Sequence, residues 1–252
     1  MIPLRDENPT AHQPIATYVL IGMNIFVWFT VQGFGMNPSL AESFCYYALV
    51  PGDLLGTASE AYFPVAQNLA CTVGDRPGLS TLISSMFMHG GWMHIIGNML
   101  FLWVFGDNVE DVMGPLRFTI FYICCGLAAA FAQILTDPGS LIPMVRASGA
   151  IGGVMGAYAL LYPRARIHLL IILVVYVTTV SVPAIFMLGY WFLLQLISGL
   201  GTMGAQGGGV AFWAHIGGFV AGIALVFLFR QPARVQAREA LGQRRRAKHD
   251  WF

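Results

Sequence analysis

The sequence predicts an all-α polytopic membrane protein with six transmembrane helices and both termini in the cytoplasm. Its 252 residues are 57% hydrophobic and only 10% charged, and the mean hydropathy is +0.68. Soluble domains carry about 25% charged residues, so this composition argues strongly against a soluble globular protein. Four stretches without Asp, Glu, Lys or Arg are long enough to cross a bilayer, which needs about 20 apolar residues. They are residues 13–41, 77–106, 118–136 and 167–229.

The predicted spans follow these apolar runs in chain order. A cytoplasmic segment, residues 1–16, carries charges and no run typical of a signal peptide, so span one is expected to direct insertion. A long first loop, residues 34–77, separates spans one and two. Span four is short, which predicts that it begins below the membrane surface. The spans are residues 17–33, 92–105, 118–135, 147–162, 182–197 and 210–229.

Positive charges decide how many times the uncharged run 167–229 crosses the bilayer. With six spans, eleven of the thirteen Lys and Arg residues lie inside, as the positive-inside rule favours. Only Arg76 and Arg146 then lie outside. A seventh span would export the basic tail, so residues 167–181, rich in β-branched side chains, are predicted to be interfacial or half-buried.

The two ends of the chain differ in charge from the predicted membrane domain, residues 17–229. Seven of the thirteen Lys and Arg residues fall in the tail, residues 230–252. We expect this tail to be a flexible cytoplasmic segment that is drawn to anionic lipid headgroups. Its arginines do not indicate a nucleic-acid partner.

Polar side chains at membrane depth are costly and indicate function by default. His94 and Asn98 are spaced i and i+4, so they share one face of span two. Ser148 opens span four and His215 lies at the start of span six. In the predicted topology these four residues lie in the outer half of the membrane, as a shared site requires.

Glycines on the same helix faces predict that spans four and six pack closely. Span six carries Gly218 and Gly222 on the face of His215, and span four carries Gly152 and Gly156 on the face of Ser148. Small residues at this spacing let two backbones approach. This packing would bring the serine hydroxyl towards the histidine.

A serine and a histidine in this arrangement are typical of nucleophilic catalysis. The hydroxyl is a weak nucleophile until a neighbouring base takes its proton, and neutral histidine suits that role. The oxyanion of the tetrahedral intermediate needs hydrogen-bond donors, which Asn or His side chains and backbone N–H groups supply. Span two offers His94 and Asn98.

The sequence resembles the rhomboid intramembrane serine proteases over residues 79–229. The motifs that carry the resemblance are His94-x-x-x-Asn98, Ala147-Ser148-Gly149 and Ala214-His215-Ile216-Gly217-Gly218, each in the matching span. Their joint occurrence is specific, whereas Ala-Ser-Gly alone is not. The loops at 34–77 and 198–209 match two loops that flank substrate entry in the family.

The resemblance implies a Ser148–His215 dyad without a carboxylate, with His94, Asn98 and the Ser148 N–H lining the oxyanion hole. It implies transmembrane protein substrates within the lipid bilayer and no cofactor; it predicts no oligomeric state. The compact six-span design favours a bacterial inner membrane.

The sequence departs from the family at positions 146 and 152. Arg146 stands where a glycine is usual, so the loop at the site could be altered. Gly152 stands where some members place an aromatic that stacks on the histidine, so His215 must be supported otherwise.

The sequence is also compatible with other interpretations. A catalytically inactive rhomboid-like protein that binds membrane clients would fit Arg146. A channel or transporter would be expected to carry a carboxylate within a span, and the predicted spans contain none. His89, His94 and His215 could ligate zinc, although the spacing is not His-Glu-x-x-His.

Two further expectations concern loop residues. Cys45 and Cys71 lie in the first loop, where an oxidising compartment would permit a disulfide; two free thiols are the alternative. Glu110, in the turn after span two, is expected to cap a helix or to pair with Arg117.

Overall fold

The computed structural model describes residues 2–58, 60, 62–66, 69–74, 78–173, 176–201 and 211–249, without the side chains of 173, 176 and 242–249. Most of these residues are helical. The helices are α1 (Ile15–Thr30), α2 (Ser39–Tyr47), α3 (Pro51–Leu55), α4 (Thr81–Ser84), α5 (Trp92–Met113), α6 (Pro115–Thr136), α7 (Ala147–Leu161), α8 (Ala184–Gly201), α9 (Phe212–Phe229) and α10 (Pro232–His249). The strands are β1 (Ile2–Asp6), β2 (Tyr62–Ala66), β3 (Leu69–Thr72), β4 (Arg166–Leu173) and β5 (Tyr176–Pro183).

Helices stand at all six predicted spans. Among the described residues, α6, α8 and α9 are long and apolar enough to cross a membrane, and α1 and α7 are shorter apolar helices. The fifteen residues of α7 rise only about 22 Å, which agrees with the predicted short span. Span two was predicted to end at Phe105, but α5 continues to Met113.

Glu110 lies in the part of α5 that continues beyond its apolar run. Its two carboxylate oxygens accept the backbone N–H groups of Ala16 and Thr17, at 2.9 and 2.7 Å, and the Thr17 hydroxyl at 2.8 Å. These N–H groups lie in the first turn of α1 and lack intrahelical acceptors. The predicted capping role is confirmed, and it serves α1 rather than a pair with Arg117.

Glycines bring α7, α9 and α6 into close contact at the centre of the bundle. A Cβ atom at Gly218 would overlap the carbonyl oxygen of Gly149, and one at Gly222 would overlap that of Gly153. A Cβ at Gly156 would overlap the Phe219 carbonyl in the same way. The predicted packing of spans four and six is therefore confirmed.

The first loop forms its own small unit. It contains α2, α3 and the antiparallel β2–β3 hairpin, and a disulfide joins Cys45 of α2 to Cys71 of β3. Leu49 pairs with Met144 through two backbone hydrogen bonds of 3.1 and 2.7 Å. This unit is thus attached to the segment that leads into α7. Arg76 lies outside the described residues.

Residues 167–173 and 176–181 form strands, so the prediction of an all-α chain was wrong in this segment. Strands β4 and β5 pair antiparallel, and β1 adds to β4. The β-branched residues of this run favour strands. Ile167 and Leu169 are buried, whereas Ile172 and Val177 are more than half exposed. The described part of the segment is thus half-buried, as predicted.

The basic tail was expected to be flexible, but residues 232–249 form α10. The tail docks on the end of α5, where the Gln231 N–H donates to the Val112 carbonyl at 2.8 Å. Arg238 donates to the Asp111 carboxylate at 3.0 Å, and its guanidinium lies over the Tyr162 ring at 4.1 Å. These contacts hold the start of the tail as a helix against the bundle.

Candidate active site

Ser148 and His215 meet where α7 and α9 begin. Ser148 is the second residue of α7, and His215 is the fourth residue of α9. His215 Nε2 lies 2.7 Å from Ser148 Oγ, which is hydrogen-bonding distance. The contact follows from the glycine packing, because Gly149 and Gly218 let the two helix ends approach. The predicted pair is therefore in direct contact.

The other side of the His215 ring contacts α8. This contact was not predicted from the sequence. His215 Nδ1 lies 2.8 Å from Gln195 Oε1, and the Trp191 ring lies 5.7 Å from the imidazole at a 41° tilt. Trp191 and Gln195 are four residues apart and share one helix face. They support the histidine that was expected to need another support. The available signal was a glutamine within an apolar span.

His94 and Asn98 lie on α5, which packs against α7. The Gly90 N–H donates to His94 Nδ1 at 3.1 Å, so the other ring nitrogen, Nε2, carries the proton and remains a donor. Asn98 is buried, and its Nδ2 has no partner among the described residues. Both side chains therefore keep a donor group. Neither makes a direct hydrogen bond to Ser148 among the contacts of the described residues.

His89 is fully buried beside these residues. Its ring lies 5.3 Å from that of His94, and Gln32 forms two hydrogen bonds with its backbone, at 2.9 and 2.7 Å. No described group of three or more His, Cys, Asp or Glu residues could hold a metal ion. The structure therefore does not assemble His89, His94 and His215 into a ligand set.

Arg146, the residue that departs from the usual glycine two positions before the nucleophile, directs its guanidinium to groups other than Ser148 and His215. It is 1% exposed and donates to the Ser85 hydroxyl at 2.9 and 3.1 Å. Further hydrogen bonds reach the carbonyls of Leu82, at 2.7 Å, and Gly126, at 3.4 Å. Arg146 thus ties the start of α7 to the segment before α5 and to α6.

The fold and the site together define a class: a multi-pass helical membrane protein with a hydrogen-bonded serine and histidine on adjacent helices. The family model for the rhomboid domain matches residues 76–232. This match covers more than half of the chain, and the protein belongs to the rhomboid family.

Several relatives carry rhomboid names. The chain is similar to Rhomboid protease GluP of Bacillus subtilis, with 28% identity over 213 residues, which are 84% of this chain and 35% of the relative. It is 26% identical to Rhomboid protein 1, mitochondrial, of Saccharomyces cerevisiae over 178 residues, covering 68% and 47% of the two chains. It is 37% identical to RHOMBOID-like protein 5 of Arabidopsis thaliana over 76 residues, covering 30% and 25%. The chain spans from a quarter to about half of these relatives.

Proposed function

We propose that the protein is an intramembrane serine endopeptidase. It would hydrolyse a peptide bond in or next to the transmembrane helix of a membrane-protein substrate. The observation that carries this proposal is the 2.7 Å contact between His215 Nε2 and Ser148 Oγ. Membership of a family that includes a protease of Bacillus subtilis supports it.

Acylation would begin with attack of Ser148 Oγ on the carbonyl carbon of the scissile bond. The hydroxyl proton passes to His215 Nε2 as the new C–O bond forms. The tetrahedral intermediate then collapses, the C–N bond breaks, and the imidazolium returns the proton to the departing amine. The products of this stage are a new amino terminus and an ester on Ser148.

The oxyanion formed during attack would be stabilised by three donors. Asn98 Nδ2 and His94 Nε2 are the side-chain donors left available by the contacts described above. The Ser148 N–H belongs to the first turn of α7, where helical N–H groups lack intrahelical acceptors. Preorganised donors of this kind lower the barrier because they need not reorganise as charge develops.

Deacylation would repeat the same steps with water. His215 takes a proton from the water, whose oxygen attacks the ester carbonyl carbon, and the second tetrahedral intermediate collapses. The C–O bond to Ser148 breaks, and the serine regains a proton from His215. The second product is a new carboxyl terminus. No cofactor takes part in these steps.

We also propose the topology in which the site faces the outer half of the bilayer. The domain of residues 17–229 would cross six times through α1, α5, α6, α7, α8 and α9. The segments 1–16 and 230–252 would both be cytoplasmic, as the concentration of positive charge in the tail favours. A bacterial inner membrane suits this arrangement.

The inactive, client-binding alternative receives no support from Arg146. Its guanidinium is engaged with Ser85, Leu82 and Gly126, so it does not occupy the space beside Ser148. The reacting groups are all present.

A cleavage assay tests the proposed function. The purified protein would be reconstituted with a single-span protein whose helix begins with small residues, and mass spectrometry would locate any cut. We expect cleavage in or beside the span by the wild type and none by Ser148→Ala. Equal cleavage by both proteins would contradict the proposal.

A further inference from the structure

Gln195 is the residue of α8 that contacts the side of His215 opposite Ser148. Its Oε1 lies 2.8 Å from His215 Nδ1. We propose that Gln195 is a positioning residue, which holds the imidazole in the tautomer and orientation that allow it to act as a base. The inference rests on the proposed function, because it extends the dyad to a Ser–His–Gln arrangement.

The proton positions follow from what each atom can do. An amide oxygen only accepts hydrogen bonds, so Nδ1 must carry the proton that lies between it and Gln195. A neutral imidazole then has its lone pair on Nε2, which faces Ser148 Oγ at 2.7 Å. Nε2 is therefore the atom that can accept the serine proton. The opposite tautomer would place a proton there and remove the base.

A second hydrogen bond fixes which way the Gln195 amide points. Its Nε2 donates to the carbonyl of Trp191, one turn earlier on α8, at 3.3 Å. A rotated amide would place two donors towards Nδ1 and leave an oxygen against a carbonyl oxygen, which is unfavourable. The two contacts of Gln195 are thus consistent only with Oε1 facing the histidine.

Trp191 restricts the imidazole ring from the same helix face. Its ring lies 5.7 Å from the His215 ring. Gly152 lies beside both residues, because a Cβ at this position would be 3.7 Å from Trp191 Cη2 and 3.2 Å from the His215 carbonyl oxygen. The absence of a side chain at position 152 leaves this space to the tryptophan. One turn of α8 therefore supplies both the ring contact and the Nδ1 acceptor.

A glutamine suits this position better than an aspartate or glutamate does in a membrane. A carboxylate within a span is costly to desolvate, whereas a neutral amide can be satisfied by two hydrogen bonds. The amide orients the ring but adds no negative charge to stabilise the imidazolium. We therefore expect its loss to cost less than the 10⁴-fold drop known for a triad with the wrong tautomer.

The test is the kinetics of fluorophosphonate labelling in three variants. Gln195→Met keeps the approximate shape and removes the acceptor, and Gln195→Glu keeps an acceptor oxygen. Gln133→Met is the matched control, because Gln133 Oε1 accepts the neighbouring Ala214 N–H at 3.3 Å without contacting the His215 ring. Thermal unfolding of each protein shows whether it is folded.

For Gln195→Met we expect the maximal labelling rate to fall about 10- to 100-fold, with the probe concentration at half-maximal rate unchanged. Gln195→Glu should recover most of the rate, and Gln133→Met should label within about threefold of the wild type. Equal losses in Gln195→Met and Gln195→Glu, or a wild-type rate in Gln195→Met, would overturn the inference.

Nitrogen-15 NMR of ring-labelled histidine reports the tautomer of the His215 ring. This tautomer would not change if Gln195 had only a structural role. The His215 signals, assigned by difference from His215→Ala, should report the Nδ1–H tautomer in the wild type and a mixture in Gln195→Met. An unchanged tautomer would count against the inference. If the wild type shows no labelling that depends on Ser148, the proposed function itself fails, so the two failures are distinguishable.

Discussion

Gly218 of α9 lies directly against the carbonyl oxygen of Gly149 of α7, in a space that no side chain could share. The residue before Gly149 is Ser148, and the residue three before Gly218 is His215. The contact that joins the helices is therefore one turn or less from both reacting groups. Packing and the candidate chemistry depend on the same pair of glycines.

We expect Gly218→Val to separate α7 from α9. The new side chain would overlap the Gly149 carbonyl, so the protein should unfold at a lower temperature and label with fluorophosphonate much more slowly. Gly189→Val is the matched control, because a Cβ at Gly189 meets no atom within 4 Å. Unchanged unfolding and labelling in Gly218→Val would contradict the proposed role of this contact.

Asn98→Ala should reduce the labelling rate by up to about 10² to 10³ if Asn98 is a principal oxyanion donor. Its Nδ2 has no hydrogen-bond partner among the described residues. The substitution therefore breaks no hydrogen bond that this amide nitrogen makes within the described part of the protein. Asn24→Ala provides a control, since Asn24 is also buried but donates to the Leu20 carbonyl of its own helix at 2.7 Å. A rate equal to wild type in Asn98→Ala would remove Asn98 from the oxyanion hole.

Arg146→Gly, which restores the glycine usual in the family, should destabilise this protein. The substitution removes the hydrogen bonds that Arg146 donates to the Ser85 hydroxyl and to the Leu82 carbonyl, and the loss of a buried hydrogen bond to a charged group costs about 1.5–3 kcal/mol. Arg117→Gly tests the same change at an exposed position. If thermal unfolding in detergent showed Arg146→Gly to be as stable as the wild type, the anchoring role would be wrong.

Removal of the Cys45–Cys71 disulfide should loosen the first loop. The bridge closes a segment with a sequence separation of 26, so its loss should cost about 3.5 kcal/mol. We expect the double variant Cys45→Ser/Cys71→Ser to unfold at a lower temperature than the wild type. Reductant should lower the unfolding temperature of the wild type but not that of the double variant. Cys124→Ser is the control, because Cys124 is free. Four free thiols in the unreduced wild type would contradict the disulfide.

Hydrophobic runs and residue spacing were sufficient to predict much of the fold. Each predicted span corresponds to a helix, because a long uncharged stretch has few other ways to satisfy its backbone in a bilayer. The contact of Ser148 with His215 was also predictable, since both residues share a face with the glycines of their helices. Helical periodicity carries that information within a single sequence.

Other features depended on contacts that spacing does not encode. The sequence shows that Arg146 is present but not that its side chain turns towards Ser85 and away from Ser148. Gln195 lies twenty residues before His215, and only the approach of α8 to α9 brings them together. The strands β4 and β5 have the composition of a membrane span, so hydropathy alone does not distinguish them from one. The contact of Arg238 in the tail with Asp111 of α5 likewise joins residues far apart in the sequence.

Fluorophosphonate labelling would show whether His215 activates Ser148. The probe reports an activated serine without a known substrate. The purified, detergent-solubilised wild type, Ser148→Ala and His215→Ala would be labelled side by side, with thermal unfolding measured for each. We predict labelling of the wild type and none in either folded variant. A folded wild type that does not label, or a Ser148→Ala protein that labels equally, would show that Ser148 is not an activated nucleophile.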